Sequence, residues 1–105
     1  MAGEQFKVND RKRVVAVGKS LASDYRVSIL IALANEGAAS ATILIRRGHA
    51  EAIALSNVSY HLTKLLEAGI TEEVRRREGR GSTERHYDLT DLGRKLATII
   101  TEIGR

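Results

Sequence analysis

The chain has no cysteine and no proline, and its only aromatic residues are Phe6, Tyr25, Tyr60 and Tyr87. The missing thiols exclude disulfides, thiolate metal sites and cysteine nucleophiles, and they fit a cytoplasmic protein. Without proline, helix ends must be read from glycines and capping side chains. With so few rings, the core must be built mostly from Leu, Ile, Val and Ala. No uninterrupted apolar run approaches the ~20 residues of a membrane span. Residues 1–7 lack the apolar segment of a signal peptide, so neither membrane insertion nor export is expected.

What is present describes one small globular domain. The chain is 105 residues long and 43% hydrophobic, enough for a single modest core that gains from further burial in an oligomer. The net charge of +4 says little by itself. Its distribution says more. Lys7, Arg11, Lys12 and Arg13 gather near the start, and Arg75, Arg76, Arg77, Arg80 and Arg85 gather around a predicted hairpin.

Residues 1–10 are polar and aperiodic and read as a flexible basic arm, leaving 11–105 as the domain proper. Over 11–22, Val14, Val17 and Leu21 share one helical stripe. Ser23 is placed to cap a second helix through 25–34, apolar on nearly every side, which Gly37 stops. Ser40 caps a short helix over 41–47, with Gly48 as its terminator. The stretch 49–54 is ambiguous, either a separate turn of helix or an extension of the one before it. A further helix begins at Leu55 or Ser56 and ends at Gly69. Residues 70–78 and 83–89 read as two strands about a Gly79–Ser82 turn, in which two glycines tolerate positive φ. Tyr87 and Leu89 alternate with polar neighbours, as one buried face requires. Thr90 caps the last helix, where Leu92, Leu96, Ile99 and Ile103 recur at four, three and four, with Ile100 beside them. The fold class is mainly α with a small β-hairpin.

The helix beginning near Leu55 is the most informative element. Val58, Leu62 and Leu65 form one apolar stripe, while Ser56, Asn57, Ser59, Tyr60, Thr63 and Lys64 lie largely away from it. Such a helix can dock on a small core and offer its other face to a DNA major groove.

The same residues carry a family resemblance. Leu21-Ala22-Ser23-Asp24-Tyr25-Arg26-Val27-Ser28-Ile29-Leu30 resembles the L-A-D-P-x-R-x-x-I-L entry to the second helix of ArsR-type winged helix-turn-helix regulators. Ser56-Asn57-Val58-Ser59-Tyr60-His61-Leu62-Thr63-Lys64-Leu65 resembles their S-x-V-S-x-H-L-x-x-L recognition helix. Glu67-Ala68-Gly69-Ile70 resembles its E-A-G-L/I exit, and residues 80–87 resemble the wing R-G-A-x-E-x-x-Y of one subgroup. The likeness spans about residues 21–92. It departs in three places. Asp24 stands where those regulators carry proline, the 48–58 segment is about one helical turn longer, and the thiolate pair of the metal-sensing members is absent.

The resemblance implies a winged helix-turn-helix of about five helices plus a two-stranded wing, and sequence-specific binding of double-stranded DNA by a transcriptional regulator, most often a repressor. Ser59, Tyr60 and Thr63 are the candidates for base edges. Ser56, Asn57 and Lys64 are candidates for phosphate contacts, which position the protein without reading sequence. His61 either meets phosphate or fills the edge of the core. Arg76, Arg80 and Arg85 are wing candidates, with Arg80 at the tip for minor-groove or backbone contact. Val14, Val17, Leu21, Leu92, Leu96, Ile99 and Ile103 exceed what one small core needs and are assigned to a homodimer interface. The alternative is a winged-helix module for protein–protein assembly without DNA binding. Against it stands the basic hairpin, because protein interfaces usually lose charge at their centre.

Other chemistry finds no support. His49, His61 and His86 form no local metal motif, and Asp88, Asp91 and Glu102 are explained as caps or solvated charges. No nucleophile elbow, phosphate loop or paired-histidine motif is present, so no metal, cofactor or enzymatic activity is expected.

Overall fold

Each helix whose start is described as capped begins where a short polar side chain replaces a missing backbone partner. The computed structural model describes residues 6–48, 55–74 and 84–105. Helix α1, Arg11–Leu21, starts at Asp10, whose carboxylate accepts from the Arg13 N–H over 3.0 Å. Helix α2, Asp24–Glu36, is capped by Ser23 and ends at Gly37, where φ is 87°. Helix α3, Ala41–Arg46, is capped by Ser40, whose hydroxyl accepts from Ile43 N–H over 3.1 Å. Ser23 and Ser40 are the caps the sequence predicts, Asp10 is one it does not, and each satisfies a donor that the helix leaves unpaired.

Helix α4, Leu55–Glu67, stops in a Schellman turn. Gly69 adopts φ 75°, its N–H bonds the Leu66 carbonyl, and Ile70 N–H reaches back to the Leu65 carbonyl, both over 3.0 Å. The chain then enters strand β1, Thr71–Val74, which pairs antiparallel with β2, His86–Leu89, in the register Thr71↔Leu89 to Val74↔His86. Helix α5, Asp91–Ile103, follows directly from the Thr90 cap. Among the described residues the order is that of a winged helix-turn-helix, with five helices and a two-stranded hairpin. Of the residues expected in strands, Ile70 precedes β1 and Glu84 and Arg85 precede β2 rather than joining the strands. The predicted strand residues 75–78 and 83, the 79–82 turn, the ambiguous 49–54 stretch and residues 1–5 of the predicted arm lie outside the described residues.

The core is aliphatic, as the scarcity of rings requires. Ile29, Leu30 and Leu33 of α2 meet Leu44 of α3 and Val58, Leu62 and Leu65 of α4, with Ile70 and Leu89 closing the hairpin side. Tyr87 is the one ring in this cluster. Alternation in β2 is less clean than the sequence suggests, because His86 is buried beside Tyr87. The same strand makes a contact the sequence does not announce. Ala39 and Tyr87 exchange two backbone hydrogen bonds of 2.9 Å, so the segment before α3 lies along the edge of β2. This covers an edge that would otherwise stand open.

Helix α1 buries little of itself; Ser20 is its one buried residue. Of the seven residues assigned to an interface, Val14, Ile99 and Ile103 are 57%, 51% and 77% exposed. Val17, Leu21, Leu92 and Leu96 are half-buried. Among the described residues no helix is long and apolar enough to cross a membrane.

Candidate nucleic-acid interface

Helix α4 is two-sided because its apolar residues recur at helical spacing. Val58, Leu62 and Leu65 are fully buried against α2 and α3. Ser56, Asn57, Ser59, Tyr60 and Thr63 are exposed, and Lys64 is half-exposed. The helix therefore presents hydroxyl, amide, phenol and ammonium groups along one side, the donor and acceptor types that meet bases and phosphates.

Several of these groups are engaged within the protein. The Thr63 hydroxyl donates to the Ser59 carbonyl over 3.0 Å, which leaves its oxygen lone pairs as the outward-facing function. Lys64 Nζ lies 3.1 Å from Glu67 and 5.5 Å from the Tyr60 ring centroid. His61 is half-buried, and its Nδ1 accepts from Arg26 Nε–H over 3.0 Å. Burial first, and the Arg26 charge second, hold the His61 pKa below its ordinary 6.5. An acceptor at Nδ1 places the neutral ring's proton on Nε2.

The hairpin stands beside this helix. Arg85 is exposed, with its Nε 3.7 Å from Glu73 across the strand pair. Arg76 and Arg80, like Arg75 and Arg77, lie outside the described residues. Just before β2, on the loop side of the strand pair, Glu84 accepts from Thr42 N–H over 3.1 Å at the start of α3. Hydrogen bonds from the Thr42 side chain above all, then from its backbone and from Ser40, lower the Glu84 pKa.

One basic residue missing from the sequence-based site joins it in three dimensions, and another sits at the end of α4. Arg26 crosses from α2 to α4 through His61. Arg13, on α1, brings its guanidinium to Gly69, where a Cβ would sit 3.1 Å from it, beside the negative end of the α4 dipole. Arg26 belongs to the segment that carries the family resemblance, but its partner is 35 residues away. No local pattern links the two. Among the described residues no group of three or more metal-ligating side chains is gathered.

Comparison with known proteins bears on this arrangement. The helix-turn-helix domain family matches residues 21–74, which hold α2, α3, α4 and β1. No curated protein sequence matches the chain. Among solved structures, HlyU of Vibrio cholerae superposes with a TM-score of 0.71 at 18% identity, over 92% of this chain and 97% of that one. A homodimeric winged helix-turn-helix DNA-binding domain of Mycobacterium bovis, termed a possible ArsR-family transcriptional regulator, gives 0.67 at 24% identity, over 99% and 90%. The transcriptional repressor BigR of Xylella fastidiosa gives 0.64 at 25% identity, over 88% and 83%.

Proposed function

This chain belongs to the helix-turn-helix domain family, and from that premise we propose that it is a dimeric, sequence-specific double-stranded DNA-binding regulator of transcription, acting as a repressor. The observation that carries the reading is the division of α4 into a buried Val58–Leu62–Leu65 stripe and an exposed polar side. One such helix per subunit reads a major groove, with Ser59, Tyr60 and Thr63 toward base edges and Ser56, Asn57 and Lys64 toward phosphates. The wing arginines, Arg76, Arg80 and Arg85, grip the flanking backbone or minor groove.

The exposed apolar side chains of α1 and α5, Val14, Ile99 and Ile103 above all, support a two-fold dimer. Such a dimer sets its reading helices about 34 Å apart, one turn of duplex. The homodimeric M. bovis domain supports this assembly, and the likeness to BigR supports repression, by occlusion of polymerase. Family and fold are those of regulators, and no reaction is assigned to the chain.

Selection of bound sequences from a random duplex library tests the reading. The expected product is a palindromic site with two half-sites one turn apart. Tyr60→Ala is expected to change the selected sequence. Arg80→Ala is expected to weaken binding to most sequences and lower the salt slope by about 1. Failure of the protein to retain any duplex at low salt overturns the assignment and leaves the protein-assembly alternative.

A further inference from the structure

Helix α2 sends one charged side chain across to the reading side of α4. Arg26 Nε–H donates to His61 Nδ1 over 3.0 Å, and the guanidinium carbon stands 5.8 Å from the Tyr60 ring centroid. Lys64 Nζ approaches the same ring. The His61 ring meets Tyr60 edge-on at 5.7 Å and lies 5.7 Å from Tyr25 of α2. Tyr60 is 53% exposed, and an exposed tyrosine ordinarily samples several staggered rotamers. Here its ring is bracketed by two cations and an imidazole, and the imidazole is itself anchored to another helix. That is more restraint than a solvated side chain needs.

We propose that Arg26 is a positioning residue for DNA reading: through its bond to His61 it fixes the direction in which Tyr60 leaves α4, and so sets sequence discrimination without touching a base. The proposal rests on α4 being the DNA-reading helix. Its physical content is preorganisation. A side chain held in its bound rotamer gives up less conformational freedom when it docks, and it penalises the wrong base more sharply because it does not adjust.

The arrangement carries a signature that a merely structural contact lacks. His61 Nδ1 accepts only while it is unprotonated. Protonation sets an imidazolium against a guanidinium, and the bond is lost. Of the charged groups on the elements packed against α4 — Asp24, Arg26 and Glu36 on α2, Arg46 on α3 with Arg47 just after it, Glu72 and Glu73 on β1 — Arg26 is the one that bears on the ring. Acidification through the lowered His61 pKa therefore releases Tyr60 and adds a cation beside the duplex. Discrimination falls while binding to random duplex holds or tightens.

The test uses the full chain and two duplexes of equal length, one selected by the wild type from a random library and one random. The ratio of their dissociation constants is followed from about pH 7.5 to about pH 4.5, so that the range below the ordinary histidine value is covered. In the wild type the ratio is expected to fall on acidification. Arg26→Met is expected to lower it about tenfold at neutral pH, the scale of one base-reading contact, with random-duplex affinity changed far less. Arg26→Lys, which keeps the charge but not the Nε–H, is expected to lower it as well. His61→Asn offers Arg26 a non-titrating acceptor, so the ratio, at whatever level it starts, is expected to lose its pH dependence. Nitrogen chemical shifts of the His61 ring are expected to report an unprotonated Nδ1 in the wild type and a pKa nearer the ordinary value in Arg26→Met.

An Arg26→Met protein with native helix content and an unchanged ratio overturns the proposal. If that variant does not fold, the His61→Asn profile decides: retention of the wild-type pH dependence overturns it equally. A wild type that binds neither duplex overturns the DNA reading itself, and this proposal with it. Binding with a ratio indifferent to Arg26 sinks the proposal alone.

Discussion

The Thr90 hydroxyl donates to the Gly69 carbonyl over 2.7 Å, joining the tail of α4 to the head of the last helix. The same oxygen accepts from Gly93 N–H over 3.1 Å, capping α5. Thr90 N–H meanwhile bonds the Ile70 carbonyl over 3.0 Å. One residue thus closes the Schellman turn of α4, the start of β1 and the first turn of α5. The helix assigned to DNA and the helix assigned to the partner subunit are registered to each other through it.

Thr90→Val keeps the shape of the side chain and removes both hydroxyl bonds. The expected loss is about 1–2 kcal/mol of unfolding free energy, the worth of a cap plus a part-buried hydrogen bond. Urea denaturation followed by circular dichroism measures it. A loss near zero indicates that the hydroxyl bonds are replaced by water.

Gly93 is buried where α5 crosses the hairpin. A Cβ there collides with the Ile70 carbonyl oxygen and presses on the Leu89 side chain. Backbone cannot yield as a flexible side chain does, so Gly93→Ala is expected to cost more than about 2 kcal/mol. Gly18 in α1 is the control, with nothing within 4 Å of its position for a Cβ. Gly18→Ala is expected to stabilise by roughly 0.5–1 kcal/mol through helix propensity. Thermal melts of the pair distinguish close approach from propensity.

Glu84 links the hairpin to α3, and the link depends on pH. Its folded-state pKa lies below its ordinary 4.5, chiefly because of the Thr42 hydrogen bonds. The unfolded chain therefore takes up a proton first as pH falls. The stabilisation is full above the ordinary value and is lost as pH drops through the lowered one. Glu84→Gln is expected to flatten the pH dependence of stability between about pH 5 and about pH 3, while stability at neutral pH falls as well. Wild-type slope in the variant assigns the acid transition to other carboxylates.

Ile99 and Ile103 project from α5 more than half exposed. If they bury against a second subunit, Ile99→Asp with Ile103→Asp is expected to give a folded monomer and to abolish tight binding to a two-half-site duplex. Sedimentation equilibrium gives the mass, and circular dichroism confirms the helices. A wild type that is monomeric at micromolar concentration removes the dimer from the proposed function.

Much of this architecture was legible because it is local. Ser23, Ser40 and Thr90 announce helix starts, since a hydroxyl beside an apolar-periodic run satisfies a donor three residues on. Gly37 and Gly69 announce ends, since both take a positive φ that other residues resist. The Val58, Leu62 and Leu65 spacing gave the buried side of α4, and with it the exposed one. The start of β2 was not legible: the chemistry of Glu84 and Arg85 resembles that of the paired residues after them, yet both lie before the strand. His86, expected on a polar face, is buried, and the pairing of Ala39 with Tyr87 brings a distant part of the sequence to the edge of β2 without any local signal.

Helix kinds, their caps and the two-sidedness of α4 follow from the order of residues alone, since each depends on neighbours within four positions, and the chain enforces that proximity. Folding alone decided that Arg26 meets His61, that Glu84 caps α3 from 42 positions away, and that α5 needs a glycine to cross Ile70. Those contacts join segments whose adjacency has no periodic trace. It is set by how the aliphatic core closes, and the core is a property of the whole chain.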